Sequence, residues 1–90
     1  MKLVREATAG ASDAGDIIVT VLPGSEPGVT VELKGKSVVL KQFGTQMKAV
    51  IKKTAEDLGV ESALIKAQDN AALDFTIRAR TRCAIERAAG

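Results

Sequence analysis

The chain has 90 residues, 46% of them hydrophobic and 27% charged, which is the balance of one small globular domain. It has no histidine and one cysteine, so a disulfide framework, a multi-ligand Cys/His zinc site and histidine-assisted nucleophilic catalysis are excluded within it. A single cysteine, Cys83, is typical of a protein in a reducing cytoplasm. We expect its side chain to pack as a small apolar group and not to act as a nucleophile. The net charge of +2 is too small to indicate a nucleic-acid partner, and no apolar run suits a signal peptide or a membrane span.

The first part of the chain predicts a loop followed by two strands. Residues 6–16 are mostly small and include two glycines, which predicts a flexible loop. Residues 17–22 are rich in β-branched side chains, and residues 29–33 alternate between apolar and polar types, so both predict strands. The two prolines and two glycines of residues 23–28 predict a turn that pairs these strands as a hairpin.

A long helix is the most regular feature of the sequence. Apolar residues fall at helical spacing from Leu40 to Leu58, and Ser37 lies where it could cap the first turn. Gly59 follows the last apolar position, and Val60 is placed for the contact that usually accompanies a glycine cap. This segment therefore predicts an amphipathic helix that ends at Leu58.

The last third predicts two more strands and a short terminal helix. Residues 64–68 indicate a strand, and residues 73–79 alternate in hydrophobicity as a fourth strand would. A helix over residues 71–89 is the rival interpretation, because several of the same apolar residues also fit helical spacing. The order ββαββα predicts an α+β, two-layer sandwich, with a four-stranded antiparallel sheet and two helices on one face.

Charged side chains supply the candidates for chemistry. Arg78, Arg80 and Arg82 would point to the same side of an extended strand and could bind phosphates, although a solvated face is the plainer interpretation. Asp13 and Asp16 form a carboxylate pair, but a loop rarely gives such a pair the convergent pocket that acid–base catalysis needs. The residues therefore indicate a binding or carrier module rather than an enzyme.

Three segments, AGASDAGD at residues 9–16, SVVLKQFG at residues 37–44 and DNAALDFTIRAR at residues 69–80, together resemble one known family, the acyl carrier protein (gamma subunit) of citrate lyase. Residues 9–16, AGASDAGD, resemble the family's attachment segment, and residues 37–44, SVVLKQFG, resemble its SVxKQFG with one extra residue. Residues 69–80, DNAALDFTIRAR, resemble its DDKGALDCxIRAR. KQFG and IRAR favour this family over the carrier subunit of malonate decarboxylase, whereas a citramalate lyase carrier stays open.

The resemblance implies one acyl-carrier domain over residues 1–90, with an attachment loop at about residues 6–16. In the family, a loop serine carries phosphoribosyl-dephospho-CoA, whose thiol holds acetyl and citryl groups while citrate is cleaved to acetate and oxaloacetate. The implied partners are the transferase (alpha) and lyase (beta) subunits of citrate lyase and the prosthetic-group transferase. Neither nucleic acid nor a membrane is implied.

The attachment position is where this chain departs from the family. Ala14 aligns with the modified serine, and alanine has no hydroxyl to esterify. The residue could be a serine-to-alanine substitution that keeps the carrier unloaded, a paralogue that has lost attachment, or a chain in which Ser12 has taken over. We favour the first two, with Ser12 as the fallback.

The resemblance also bears on residues outside the loop. Arg78 and Arg80 lie in a matched motif, which implies contact with the cofactor phosphates or with an acidic partner surface. Phe43 is matched too, but its place on the apolar helix face predicts core packing. A non-carrying structural subunit and a small RNA-binding module are the remaining alternatives, although the second lacks the aromatic residues on strands that bind unpaired bases.

Overall fold

The computed structural model describes all 90 residues, which form four strands and two helices. The elements are β1 (Ala7–Ala9), β2 (Asp16–Pro23), β3 (Gly28–Lys34), α1 (Ser37–Asp57), β4 (Ser62–Asn70) and α2 (Asp74–Ala88). The predicted α+β class, with a four-stranded sheet and two helices, is confirmed. Neither helix has a stretch that is both long and apolar enough to span a bilayer.

The sheet is mixed, with the strand order β1-β2-β4-β3. Strand β2 runs antiparallel to β1 and β4, whereas β3 runs parallel to β4. The predictions of a purely antiparallel sheet and of a β2–β3 hairpin are therefore wrong. Parallel neighbours need a long crossover connection, and α1 provides it between β3 and β4.

Both helices cover the same face of the sheet. Ile17, Val19 and Val21 of β2 are fully buried, while the residues between them are only partly covered. Helix α2 packs against β1 and β2, and α1 packs against β3 and α2. The core is aliphatic, as predicted, and its largest fully buried side chains include Ile17, Ile51, Ile65, Ile77 and Ile85.

The predicted strand over residues 73–79 lies almost entirely in α2, as the rival interpretation has it. Among its alternating large apolar residues only Ile77 is buried, while Leu73 and Phe75 are more than 60% exposed. The buried residues of α2 recur at helical spacing: Ile77, Thr81, Ala84, Ile85 and Ala88. The order of elements is therefore βββαβα and not ββαββα.

The remaining strand of the sheet is β1, which lies inside the segment predicted as a loop. Ala9 is buried and pairs with Val19 of β2, and the hydroxyls of Thr8 and Thr20 hydrogen-bond at 3.0 Å. Arg87 of α2 also donates to the carbonyl oxygen of Thr8 at 2.8 Å. Backbone pairing and an arginine from a distant helix define this strand, so its small side chains show no strand pattern.

The C-terminus of α1 has the predicted geometry. Gly59 has a φ of +78°, and its N–H donates to the carbonyl of Glu56 at 2.9 Å. The N–H of Val60 donates to the carbonyl of Ala55 at 3.0 Å, and these two bonds define a Schellman motif. At the other end, Ser37 is the first helical residue and makes no capping bond, so that prediction is wrong.

Candidate functional site

The loop that contains Ala14 connects β1 to β2 across residues 10–15. Gly10 opens it with a φ of +99°, and a Cβ at this position would overlap the carbonyl oxygen of Ile17. Only glycine allows the chain to pass so close to the next strand. Ala14 is exposed in the turn that follows and is accessible to other molecules.

Asn70, the last residue of β4, hydrogen-bonds to two residues of this loop. Its carbonyl oxygen accepts the N–H of Gly15 at 2.7 Å, and its side-chain Nδ2 donates to the carbonyl of Ser12 at 2.7 Å. The N–H of Asp16 also donates to the carbonyl of Asp13 at 3.1 Å, which closes a tight turn around Ala14. The loop is therefore presented on the end of the central strand β4.

Arg80 secures the point where the loop enters β2. Its Nε donates to Oδ1 of Asp16 at 3.0 Å, and its Nη2 donates to Oδ2 at 3.1 Å. The Arg80 guanidinium, helped by the backbone N–H of Ile17, holds the pKa of the Asp16 carboxyl below its usual value. The same pairing raises the pKa of Arg80, so both groups stay charged over the ordinary pH range.

The prosthetic group implied by the resemblance needs a hydroxyl, and this loop offers one in a single place. The side chain of Ala14 ends in a methyl group, so residue 14 does not fit a phosphodiester link. Ser12 carries the only hydroxyl among residues 10–15, is exposed and makes no side-chain hydrogen bond within the chain. Within this loop, Ser12 is therefore the only residue with an oxygen to which the group could be joined.

The three arginines do not share one face, contrary to the strand prediction. They belong to α2, where Arg78 and Arg82 lie one turn apart and Arg80 points elsewhere. Arg80 is paired with Asp16, and Arg82 approaches Glu86 at 3.6 Å. Arg78 makes no ion pair within the chain.

Beside the loop lies a groove of about 680 Å³ between α1 and the start of α2. We call it the phenylalanine groove, because Phe43 of α1 and Phe75 of α2 line it, together with Leu73 and Arg78. Phe43 is 52% exposed, so the prediction that it packs in the core is wrong. Phe43 lies in the matched KQFG and Leu73 in the matched ALD, whereas Phe75 stands where the family motif has cysteine. Helical spacing could not distinguish a core face from an open groove.

The remaining candidates have no feature of a reactive site. Cys83 is partly buried and packs against the apolar core, as predicted. Asp13 is exposed, and its side chain makes no ion pair within the chain. No group of three or more His, Cys, Asp or Glu side chains is arranged to hold a metal ion.

Comparison with known proteins places this arrangement in a class. Residues 4–88 match the family model described as "Malonate decarboxylase delta subunit (MdcD)". A crystal structure of a Pseudomonas malonate decarboxylase hetero-tetramer contains a chain with a TM-score of 0.65 and 18% sequence identity, covering 98% of this chain and 92% of that one. At that identity the likeness shows the fold alone. The family match defines the class, a small acyl carrier subunit that is not catalytic by itself.

Relatives with higher sequence identity identify one particular kind of acyl carrier. The citrate lyase acyl carrier protein of Halothermothrix orenii is 51% identical over 98% of this chain and 90% of its own length. That of Streptococcus mutans is 47% identical over 99% of this chain and 85% of its own. Citrate lyase acyl carrier protein 2 of Salmonella typhimurium is 40% identical over 99% and 90%. The chain belongs to the citrate lyase acyl carrier protein family.

Proposed function

We propose that this chain is the acyl carrier subunit of a citrate lyase complex, in which acetyl and citryl groups are carried while citrate is cleaved to acetate and oxaloacetate. Its proposed partners are the transferase (alpha) and lyase (beta) subunits and the prosthetic-group transferase. Relatives of that name at 40–51% identity over nearly the whole chain support this role. A cytoplasmic location is part of the proposal, on the basis of the lone cysteine.

The observation that carries the proposal is the exposed loop over residues 10–15. A carrier needs an attachment point that a modifying enzyme can reach, on a base that keeps its place on the domain. The exposed turn at Ala14, with Asn70 and Arg80 bonded at its base, has both properties. We therefore narrow the proposed attachment loop from about residues 6–16 to residues 10–15.

Attachment of the prosthetic group is the step of the proposed function that Ala14 affects. Phosphoribosyl-dephospho-CoA is the group proposed for the family, and residue 14 offers it no oxygen. We propose that the chain is unloaded at residue 14 and that Ser12 is the fallback attachment residue. A hydroxyl two residues away presents its oxygen from a different place in the turn, so a transferase fitted to residue 14 should modify it poorly.

Intact mass spectrometry tests this directly. The parent chain, Ala14→Ser, Ser12→Ala and the double variant are each co-expressed with the citrate lyase enzymes that make and transfer the prosthetic group. We expect only the two variants that include the Ala14→Ser substitution to gain the mass of the group. A gain by the parent chain that Ser12→Ala abolishes would move the attachment to Ser12. No gain by any of the four would contradict the carrier role.

Three alternatives, two other carriers and one structural subunit, are to be separated from this proposal. The fold likeness and the family description favour a malonate decarboxylase carrier, and a citramalate lyase carrier would share the same features. The missing hydroxyl at Ala14 favours a non-carrying structural subunit. Binding titrations of the chain with the large subunits of citrate lyase, malonate decarboxylase and citramalate lyase separate the three carriers, because only the cognate subunits should bind. Failure of Ala14→Ser to be loaded, together with tight binding to the large subunits, would identify a structural subunit.

A further inference from the structure

The phenylalanine groove exposes an unusual share of the chain's apolar surface. Both phenylalanines of the chain lie in it, Phe43 at 52% and Phe75 at 64% exposure, and Leu73 beside them is 63% exposed. A small domain with an aliphatic core gains stability by burying its aromatic rings, yet here both stay outside. Clustered exposed aromatic residues are typical of protein-binding surfaces.

The walls of the groove are held in place before anything binds. The carboxylate of Asp69, itself only 8% exposed, accepts the N–H groups of Ala71 and Ala72 at 3.0 Å each. This fixes the turn between β4 and α2, where Ala71 has a φ of +66°. Nε2 of Gln46 donates to Asp74 at 2.9 Å and joins α1 to α2 across the groove. A preorganised surface loses little conformational entropy when it binds.

One charged side chain of the groove, Arg78, is free to bind an acidic group of a ligand. The groove also contains two carboxylates, and each accepts hydrogen bonds within the chain, Asp69 from backbone N–H groups and Asp74 from Gln46. Arg78 is the only cation that lines the groove, is exposed and makes no ion pair within the chain. A guanidinium placed beside aromatic rings binds a carboxylate through two parallel hydrogen bonds.

The groove adjoins the loop that presents Ala14. Asn70 hydrogen-bonds to Ser12 and Gly15 of the loop, and the next residue along the chain, Ala71, lines the groove. A protein bound in the groove would therefore lie beside the attachment loop. That is the position required of an enzyme subunit that acts on a group carried there.

We infer that the phenylalanine groove is the docking site for a segment of the carrier's enzyme partner, with apolar side chains seated between Phe43 and Phe75 and a carboxylate on Arg78. This inference rests on the proposed function, since it takes the partner to be a large citrate lyase subunit. It goes further in assigning the contact surface and the chemistry of the segment that binds it.

Binding to purified alpha and beta subunits of citrate lyase from the same organism, freed of their own carrier, tests the inference by calorimetry. We expect the parent chain to bind one of them, and Phe75→Ser and Arg78→Glu each to weaken binding at least about tenfold. Arg78→Lys should bind between the parent and Arg78→Glu, because it keeps the charge without the fork of donors. Circular dichroism and thermal unfolding should show that all three groove variants are folded.

Two matched substitutions outside the groove serve as controls. Val38→Ser removes an apolar side chain of α1 that is 68% exposed, and Lys52→Glu reverses a charge on the side of α1 opposite Phe43. Both should bind as the parent does. If the groove variants also bind as the parent does, the docking site is elsewhere while the carrier role stands. If the parent chain binds neither subunit, the proposed function and the docking site both fail.

Two other occupants of the groove, a second copy of the chain and the prosthetic arm, can be distinguished from a partner segment with variants already introduced. Sedimentation equilibrium would show a dimer that Phe75→Ser dissociates if a second copy of the chain covers the groove. With Ala14→Ser loaded with its prosthetic group, a loss of partner binding confined to the loaded form would mean that the groove holds the arm. Either result would overturn the inference of a docking site for a partner segment.

Discussion

Arg80 and Asp16 are joined by two parallel hydrogen bonds of 3.0 and 3.1 Å, although 64 residues separate them in the chain. The pair joins α2 to the first residue of β2, where the Ala14 loop ends. The arginine motif near the C-terminus and the loop near the N-terminus, which the family resemblance treats as separate segments, therefore form one unit in the folded chain.

Replacing Arg80 should loosen the loop without unfolding the domain. We expect Arg80→Ala to speed amide hydrogen exchange several-fold at residues 15–17, because the side chain that anchors Asp16 is removed. Arg78→Ala is the matched control, since it removes an arginine of the same helix that has no partner within the chain. Equal exchange in the two variants would mean that the ion pair does not restrain the loop.

Acid should weaken the domain through Asp16. Its pKa is lowered in the folded chain by the Arg80 hydrogen bonds, so its contribution is fully present above the unfolded value near 3.8. That contribution is lost as the pH falls through the lower folded pKa. Between about pH 4 and pH 2 the melting temperature of the parent should therefore fall more steeply than that of Asp16→Asn. Asp13→Asn, which removes an exposed carboxylate outside any ion pair, should retain the slope of the parent.

Substitutions of two loop glycines separate the cost of a positive φ from the cost of steric overlap by an added methyl group. Gly10→Ala should cost about 2 kcal/mol or more in unfolding free energy, because the new methyl group meets the backbone of Ile17 and φ is +99°. Gly15→Ala has a similar φ of +82° but open space around it, so it should cost only about 1 kcal/mol. Urea denaturation measures both values, and an equal cost would argue against the close approach at Gly10.

The burial of α2 predicts opposite results for two residues that are two positions apart. Ile77 is fully buried, and Ile77→Ala should cost about 2–5 kcal/mol, a large part of the unfolding free energy of a small domain. Phe75 is 64% exposed, and Phe75→Ala should cost less than about 1 kcal/mol. Urea titrations of the two variants check this. Comparable losses of unfolding free energy in the two variants would instead favour the strand predicted over residues 73–79, in which both side chains lie on the same face.

Local patterns were sufficient for the extent and the C-terminus of α1, although not for its Ser37 cap or for the exposure of Phe43. Its apolar spacing, Gly59 and Val60 all lie within a few turns of one another, and helix formation and capping depend on contacts of that range. The segment before β2 was not predictable in this way. Ala7–Ala9 has small side chains and becomes a strand only because β2 offers a free edge and Arg87 reaches Thr8.

For residues 73–79 the sequence supports two periods at once. Leu73, Phe75 and Ile77 alternate as in a strand, and Ile77 also begins the helical series that ends at Ala88. The choice follows from features outside this segment: β1 completes the sheet at one edge, and the carboxylate of Asp69, a few residues earlier, fixes the turn at the end of β4. Neither is visible in the spacing of the apolar residues themselves.

By itself the sequence determined the aliphatic core, the α+β class, the long helix, the family and the missing hydroxyl at Ala14, because residue types and short spacings carry that information. The tertiary structure decided the parallel pairing of β3 with β4, the anchoring of the loop by Asn70 and Arg80, and the exposure of Phe43 and Phe75. These depend on which segments distant in the chain meet. That is set by the free energy of the whole packed core and not by any one segment's pattern.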